Sequence, residues 1–120
     1  DSVTMQLRLA GGALGTVHAT RFATGHMNDL RLRIYGTKGG LEVSFENANS
    51  ALRACLGDDR LTATWVPLDC PEVPTIYQRF IAAIRGEGAA IPDFARGAEL
   101  QRLLDAAERS AAEEGKAHRP

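Results

Sequence analysis

Residues 30–46 read Leu30-Arg31-Leu32-Arg33-Ile34-Tyr35-Gly36-Thr37-Lys38-Gly39-Gly40-Leu41-Glu42-Val43-Ser44-Phe45-Glu46. Apolar and charged side chains alternate on both sides of a glycine-rich centre. That is the pattern of two strands, each with a buried and a polar face, joined by a tight turn. An even-numbered loop of two or four residues sets Leu32 opposite Val43, Ile34 opposite Leu41 and Arg33 opposite Glu42. Arg31 and Glu46 become diagonal neighbours on the polar face, in a charge ladder worth about 0.2–1 kcal/mol per pair. Gly39 supplies the positive φ that such a turn requires. Gly36 to Gly40 is not a phosphate loop, because the GxxxxGK[ST] order is missing and a strand follows.

Working outward, Val3, Met5, Leu7 and Leu9 alternate with polar residues, Gly11-Gly12 breaks the run, and residues 14–23 resume it as a second strand. Thr24 to Asn28 is a loop before the third strand. Asn47 to Ser50 and Gly57-Asp58-Asp59 mark two further turns, flanking strands near 51–56 and 60–68. At Pro71 the period changes from 2 to 3.6. Val73, Ile76, Tyr77, Phe80, Ile81 and Ile84 predict a helix with Pro74 in its first turn and Gly86 as its stop. Asp93 caps a second helix with Gly97, Leu100, Leu104, Ala107 and Ala111 on one stripe, widened by Leu103, and ending at Gly115. Strands first and helices second predict an α+β domain over residues 1–120, with a largely antiparallel sheet of about six strands and the two C-terminal helices packed on its apolar face.

A hydrophobic fraction of 44% and a charged fraction of 24% are those of a globular protein. The 14 basic and 15 acidic residues are interspersed, so no basic face offers itself to nucleic acid. No run approaches the length of a membrane span. Cys55 and Cys70 read as free thiols of a reducing compartment, which makes the cytoplasm the expectation. His18, His26 and His118 are too scattered along the chain to suggest a zinc site.

Acid-base chemistry needs titratable groups in a shared pocket, and His26 is the histidine best placed for it. Thr24, Gly25 and Asn28 could join it in a small polar cluster; the alternative is a solvated loop histidine. His18 lies mid-strand, Asp105 and Glu108 share a solvated helix face, and Ser110 has no histidine at helical spacing. No closely spaced glycines join a strand to a helix, so no NAD or NADP site is expected in this chain. No catalytic and no metal-binding residue is assigned.

Two passages are more specific. Ala23 to Leu30 leading into Ile34 to Leu41, and Phe80 to Gly86 followed by Pro92-Asp93-Phe94, Gly97, Gln101, Leu104-Asp105-Ala106-Ala107, Ser110 and Gly115, resemble the C-terminal domain of the glucose-fructose oxidoreductase, inositol dehydrogenase and MocA family. The resemblance implies a two-domain enzyme in which an N-terminal Rossmann domain carries NAD or NADP. The sheet domain then covers the active site and makes oligomer contacts; independently of the resemblance, the polar sheet face, flat and left without a covering helix, is the expected surface of a homodimer or higher oligomer. Substrates implied are sugars, inositols and related polyols. The family's Glu-Lys-Pro motif and its Asp and His pair have no counterpart here, the only lysines being Lys38 and Lys116. The chain would thus be the later part of the second domain, inactive without the Rossmann domain. The stretch from Trp65 to Val73 is shorter than the extended loop some relatives carry there. The alternative is a free-standing binding or oligomerisation module without enzymatic activity; a GxGxxG in the coding sequence upstream of Asp1 would decide for the dehydrogenase.

Overall fold

In a computed structural model, which describes residues 1–47 and 49–120, the chain is α+β, with six antiparallel strands and three helices. It divides into two compact units, Asp1–Glu72 and Val73–Pro120, each described by itself.

In the first unit the six expected strands are present, divided between two sheets. Strands β1 (Ser2–Arg8) and β2 (Leu14–Thr20) form a two-stranded hairpin. The second strand stops at Thr20, three residues short of its expected end. There the Thr20 hydroxyl accepts from the Phe22 amide at 3.1 Å and turns the chain out of the ladder. Strands β3 (Leu30–Gly36), β4 (Gly39–Glu46), β5 (Asn49–Leu56) and β6 (Val66–Leu68) form the second sheet in sequence order. The turn expected at 47–50 includes residue 48, which lies outside the described residues; Asn47 before it has φ +50°.

The β3–β4 register is the expected one. Leu32 pairs with Val43, Ile34 with Leu41 and Arg33 with Glu42, around a two-residue loop at Thr37-Lys38. The β4–β5 and β5–β6 ladders continue it, pairing Leu41 with Ala54, Val43 with Leu52, and Leu52 with Leu68. Side chains alternate across a sheet, so Leu30, Leu32, Ile34, Leu41, Val43, Phe45, Leu52, Ala54, Val66 and Leu68 all share one face. On the other face Glu42 lies between Arg33 and Arg53. It accepts a hydrogen bond from Arg33 Nε and has Arg53 Nη1 at 4.0 Å. That bond holds the Glu42 carboxyl below its usual range against the opposing effect of burial, and raises the Arg33 guanidinium.

The expected strand over 60–68 is mostly something else. Asp59–Thr62 form a one-turn helix, α1, which ends at Ala63 in the left-handed conformation at φ +53°, and only Val66–Leu68 are extended. Cys55 Sγ donates to the Asp59 carbonyl at 3.4 Å, fixing this turn against β5. Ala54 and Cys55 are the buried apolar residues of the first unit among those described.

In the second unit, helix α2 spans Ile76–Ile84. It starts later than expected because Thr75 caps it: its hydroxyl accepts from the Gln78 amide at 3.3 Å, and the Gln78 side chain returns to the Thr75 amide at 2.7 Å. Gly86, at φ +73°, stops it as expected. Helix α3 spans Phe94–Ala112, and Asp93 caps it by accepting from the Arg96 amide at 2.8 Å. Its least exposed positions are Leu103, Ala106, Ala107 and Ser110, a stripe displaced from the Leu100–Leu104 line of the sequence reading, since Leu100 and Leu104 remain half exposed.

Two measurements test this account. A Cβ at Gly39, where φ is +141°, would collide with the Cys55 carbonyl oxygen and lie 2.6 Å from Leu56 Cδ2, whereas at Gly36 its nearest neighbour is 3.8 Å away. Gly39→Ala should therefore destabilise by about 2–3 kcal/mol and Gly36→Ala by less than about 1 kcal/mol, read from denaturant unfolding. Equal losses would show that the close approach at Gly39 carries no cost. The second concerns Glu42. A carboxylate whose pKa is depressed by folding contributes stability that is complete above its unfolded value and vanishes as pH falls through the folded one. The stability difference between the native chain and Glu42→Gln should be largest at neutral pH and close below the ordinary carboxylate range; a gap independent of pH would remove the ion pair as its source.

Candidate functional site

The loop between β2 and β3 is shaped by its backbone. The His26 amide donates to the Ala23 carbonyl at 3.0 Å, closing a four-residue turn with Gly25 third, at φ +89°. That is where a type II turn needs a residue free to adopt positive φ. The Thr24 amide donates to the Phe22 carbonyl at 2.9 Å. Thr24, Gly25 and Asn28 are exposed, and among the described residues no hydrogen bond joins them to the His26 imidazole. Gly25 acts through the backbone, by turning the chain so that His26 follows directly.

His26 instead meets two carboxylates. Its Nδ1 lies 3.1 Å from Asp29 Oδ2 and 3.4 Å from Glu46 Oε1. Arg31 Nη2 donates to the same Asp29 oxygen at 3.3 Å. The His26 side chain is 48% exposed and that of Asp29 only 17%, so the cluster is open on the imidazole side and closed beneath the aspartate. Asp29 Oδ1 is buried and has no hydrogen-bond partner among the described residues.

The ladder explains why these residues meet. Leu30 pairs with Phe45, so one further step sets Asp29 against Glu46 at the end of the hairpin remote from its turn. Like charges directly opposite one another are unfavourable. His26 sits between them, and Arg31 flanks Asp29. Sequence reasoning assigned Glu46 to the charge ladder with Arg31 and passed over Asp29; extending the hairpin register by a single pair would have found both. Oxygen and nitrogen donors of His26, Asp29 and Glu46 lie within 4.8 Å of one another, a spacing that could hold a cation.

His18 stands opposite Thr4 in the β1–β2 ladder, and His118 Nε2 lies 3.3 Å from Glu113 Oε1 in the second unit. Both cysteines are free, Cys55 buried and Cys70 exposed. Among the described residues no helix is long and apolar enough to cross a membrane.

Residues 1–118 match the family described as the oxidoreductase family, C-terminal alpha/beta domain, of the Gfo/Idh/MocA group. Among curated proteins, the chain is 30% identical to a levoglucosan dehydrogenase of Pseudarthrobacter phenanthrenivorans, over 95% of this chain and 35% of that enzyme. The chain therefore spans about a third of the length of the relative it matches. No solved structure matches it significantly.

Proposed function

The chain belongs to the Gfo/Idh/MocA oxidoreductase family as its C-terminal α/β domain, and on that premise we propose that it is the substrate-side domain of an NAD(P)-dependent dehydrogenase of sugars, inositols or related polyols. The match of residues 1–118 to that domain carries the reading. The relative named for levoglucosan supports a carbohydrate as the substrate class. A partner Rossmann domain would bind the dinucleotide and supply the catalytic lysine, leaving this chain to bound the pocket and contribute polar contacts.

Thr24, Gly25, His26 and Asn28 form the loop we assign to the substrate side. It is short, polar and held between two strands, and loops on rigid scaffolds are where binding residues concentrate. An imidazole with carboxylate neighbours can orient a polyol by exchanging hydrogen bonds with its hydroxyls. The face carrying Arg31, Arg33, Glu42 and Arg53 is our candidate for self-association, because its alternating charges complement one another across an isologous two-fold contact. Two free thiols favour a cytoplasmic setting.

The full-length protein, incubated with NAD⁺ or NADP⁺ and a panel of sugars and inositols, should form reduced nicotinamide with at least one of them, and residues 1–120 alone should give background. No turnover across such a panel would defeat the substrate class. His26→Ala in the full-length protein should raise KM or lower kcat while costing no more than about 1 kcal/mol in stability, since the imidazole itself is half exposed. Unchanged kinetics would remove the loop from the pocket. Light scattering should report a dimer that Arg33→Glu shifts toward monomer; an unshifted distribution would place the contact elsewhere.

A further inference from the structure

We propose that His26, Asp29 and Glu46 bind a divalent cation of the zinc class, which clips the β2–β3 loop to the end of β4. The inference stands apart from the substrate reading, since it concerns what holds the loop rather than what the loop touches.

The spacing is that of ligands rather than of a simple ion pair. Zinc bound to nitrogen and oxygen at about 2.0–2.1 Å in a tetrahedron places its ligands about 3.3 Å apart. His26 Nδ1 stands 3.1 Å from Asp29 Oδ2 and 3.4 Å from Glu46 Oε1, and the three donors lie within 4.8 Å of one another. Small side-chain movements would close them round an ion. An imidazole nitrogen carries one proton at most, so Nδ1 can donate to only one of the two carboxylates, and Arg31 Nη2 at 3.3 Å is the other donor on Asp29 Oδ2. If Nδ1 carries no proton, its lone pair faces two anions. A cation between them removes that conflict.

A second observation points the same way. Among the described residues Asp29 Oδ1 is buried without a partner, although its sister oxygen holds Arg31. A buried carboxylate oxygen left unsatisfied is costly, and a metal ion is one of the partners that relieve it. Asp29 Oδ2, the oxygen that faces His26, is the one Arg31 also holds, so an ion there competes with Arg31. The set of one imidazole and two carboxylates, without thiolate, suits zinc, cobalt, nickel or manganese better than copper(I), and its nitrogen disfavours magnesium and calcium. The exposed side of His26 leaves a fourth position for water. Binding there would join two segments distant in the chain, and so restrain the loop that Gly25 turns.

Full-length protein stripped with a chelator and titrated calorimetrically with Zn²⁺ tests the site, with Mg²⁺ as control and Co²⁺ absorption as a readout of coordination. We expect zinc to bind and to raise Tm, magnesium to do neither, and His26→Ala, Asp29→Asn and Glu46→Gln each to weaken zinc binding at least about tenfold. Arg31→Ala, which removes the competing cation, should bind zinc as tightly or more tightly. Absence of zinc binding, or zinc binding that survives both His26→Ala and Glu46→Gln unchanged, overturns the proposal. The near-isosteric Asn and Gln variants keep the test decisive should His26→Ala fold poorly.

Discussion

The two-residue turn at Thr37-Lys38 fixes the register of β3 on β4, and the rest of the sheet inherits it. Because the side-chain period of a strand is two, a slip of one residue would send Leu41, Val43 and Phe45 to the charged side and Glu42 to the apolar one. Gly39 makes the turn possible twice over, by its positive φ and by admitting the Cys55 carbonyl where a side chain would stand. The neighbouring Gly40 leaves room for the Trp65 ring, which a Cβ there would approach to 2.8 Å. Two adjacent glycines thus let β5 and the segment before β6 close on β4.

The register also separates two kinds of energy. Ten apolar side chains gather on one face, where their burial against a covering layer is worth roughly 25 cal/mol per Å² removed from water. The opposite face offers ion pairs such as Arg33–Glu42, half exposed on the arginine side and individually small in their effect. Area burial would therefore reward a cover of the first face, and charge matching one of the second.

Much of this was legible in the sequence, for identifiable reasons. Period-2 alternation over 30–46 fixed both strands and their pairing, and Asp93 before an apolar-periodic stretch marked the start of α3. The one-turn helix at Asp59–Thr62 escaped because four residues are too few to express a helical period, and its anchor, the Cys55 thiol, lies on another element. The start of α2 was misplaced because Thr75 and Gln78, a capping box, were read past in favour of Pro74. In α3 the stripe was drawn through the larger leucines, whereas the fold brings the small side chain of Ala106 deepest. The family resemblance drawn from Ala23–Leu41 and the helical end agrees with the match over residues 1–118. Of the candidate site, His26 was visible as a residue type but its partners were not, since Asp29 and Glu46 join it only through strand pairing.

That dependence gives the site an unusual position in the fold. The His26 cluster stands at one end of the β3–β4 ladder and the glycine turn at the other, with seven residue pairs between. No atom of Gly39 need touch Asp29 for the turn to govern it. If the hairpin slipped by one residue, Glu46 would leave the face of Asp29, and His26 would have a single carboxylate to meet. The chemistry of the loop is therefore set remotely, by backbone geometry transmitted along a rigid ladder rather than by side-chain contacts around the site. Gly25 supplies the local half of the placement, aiming the imidazole through its own positive φ. Two glycines on different segments, each chosen for conformational freedom and neither carrying a functional group, together decide which polar groups meet.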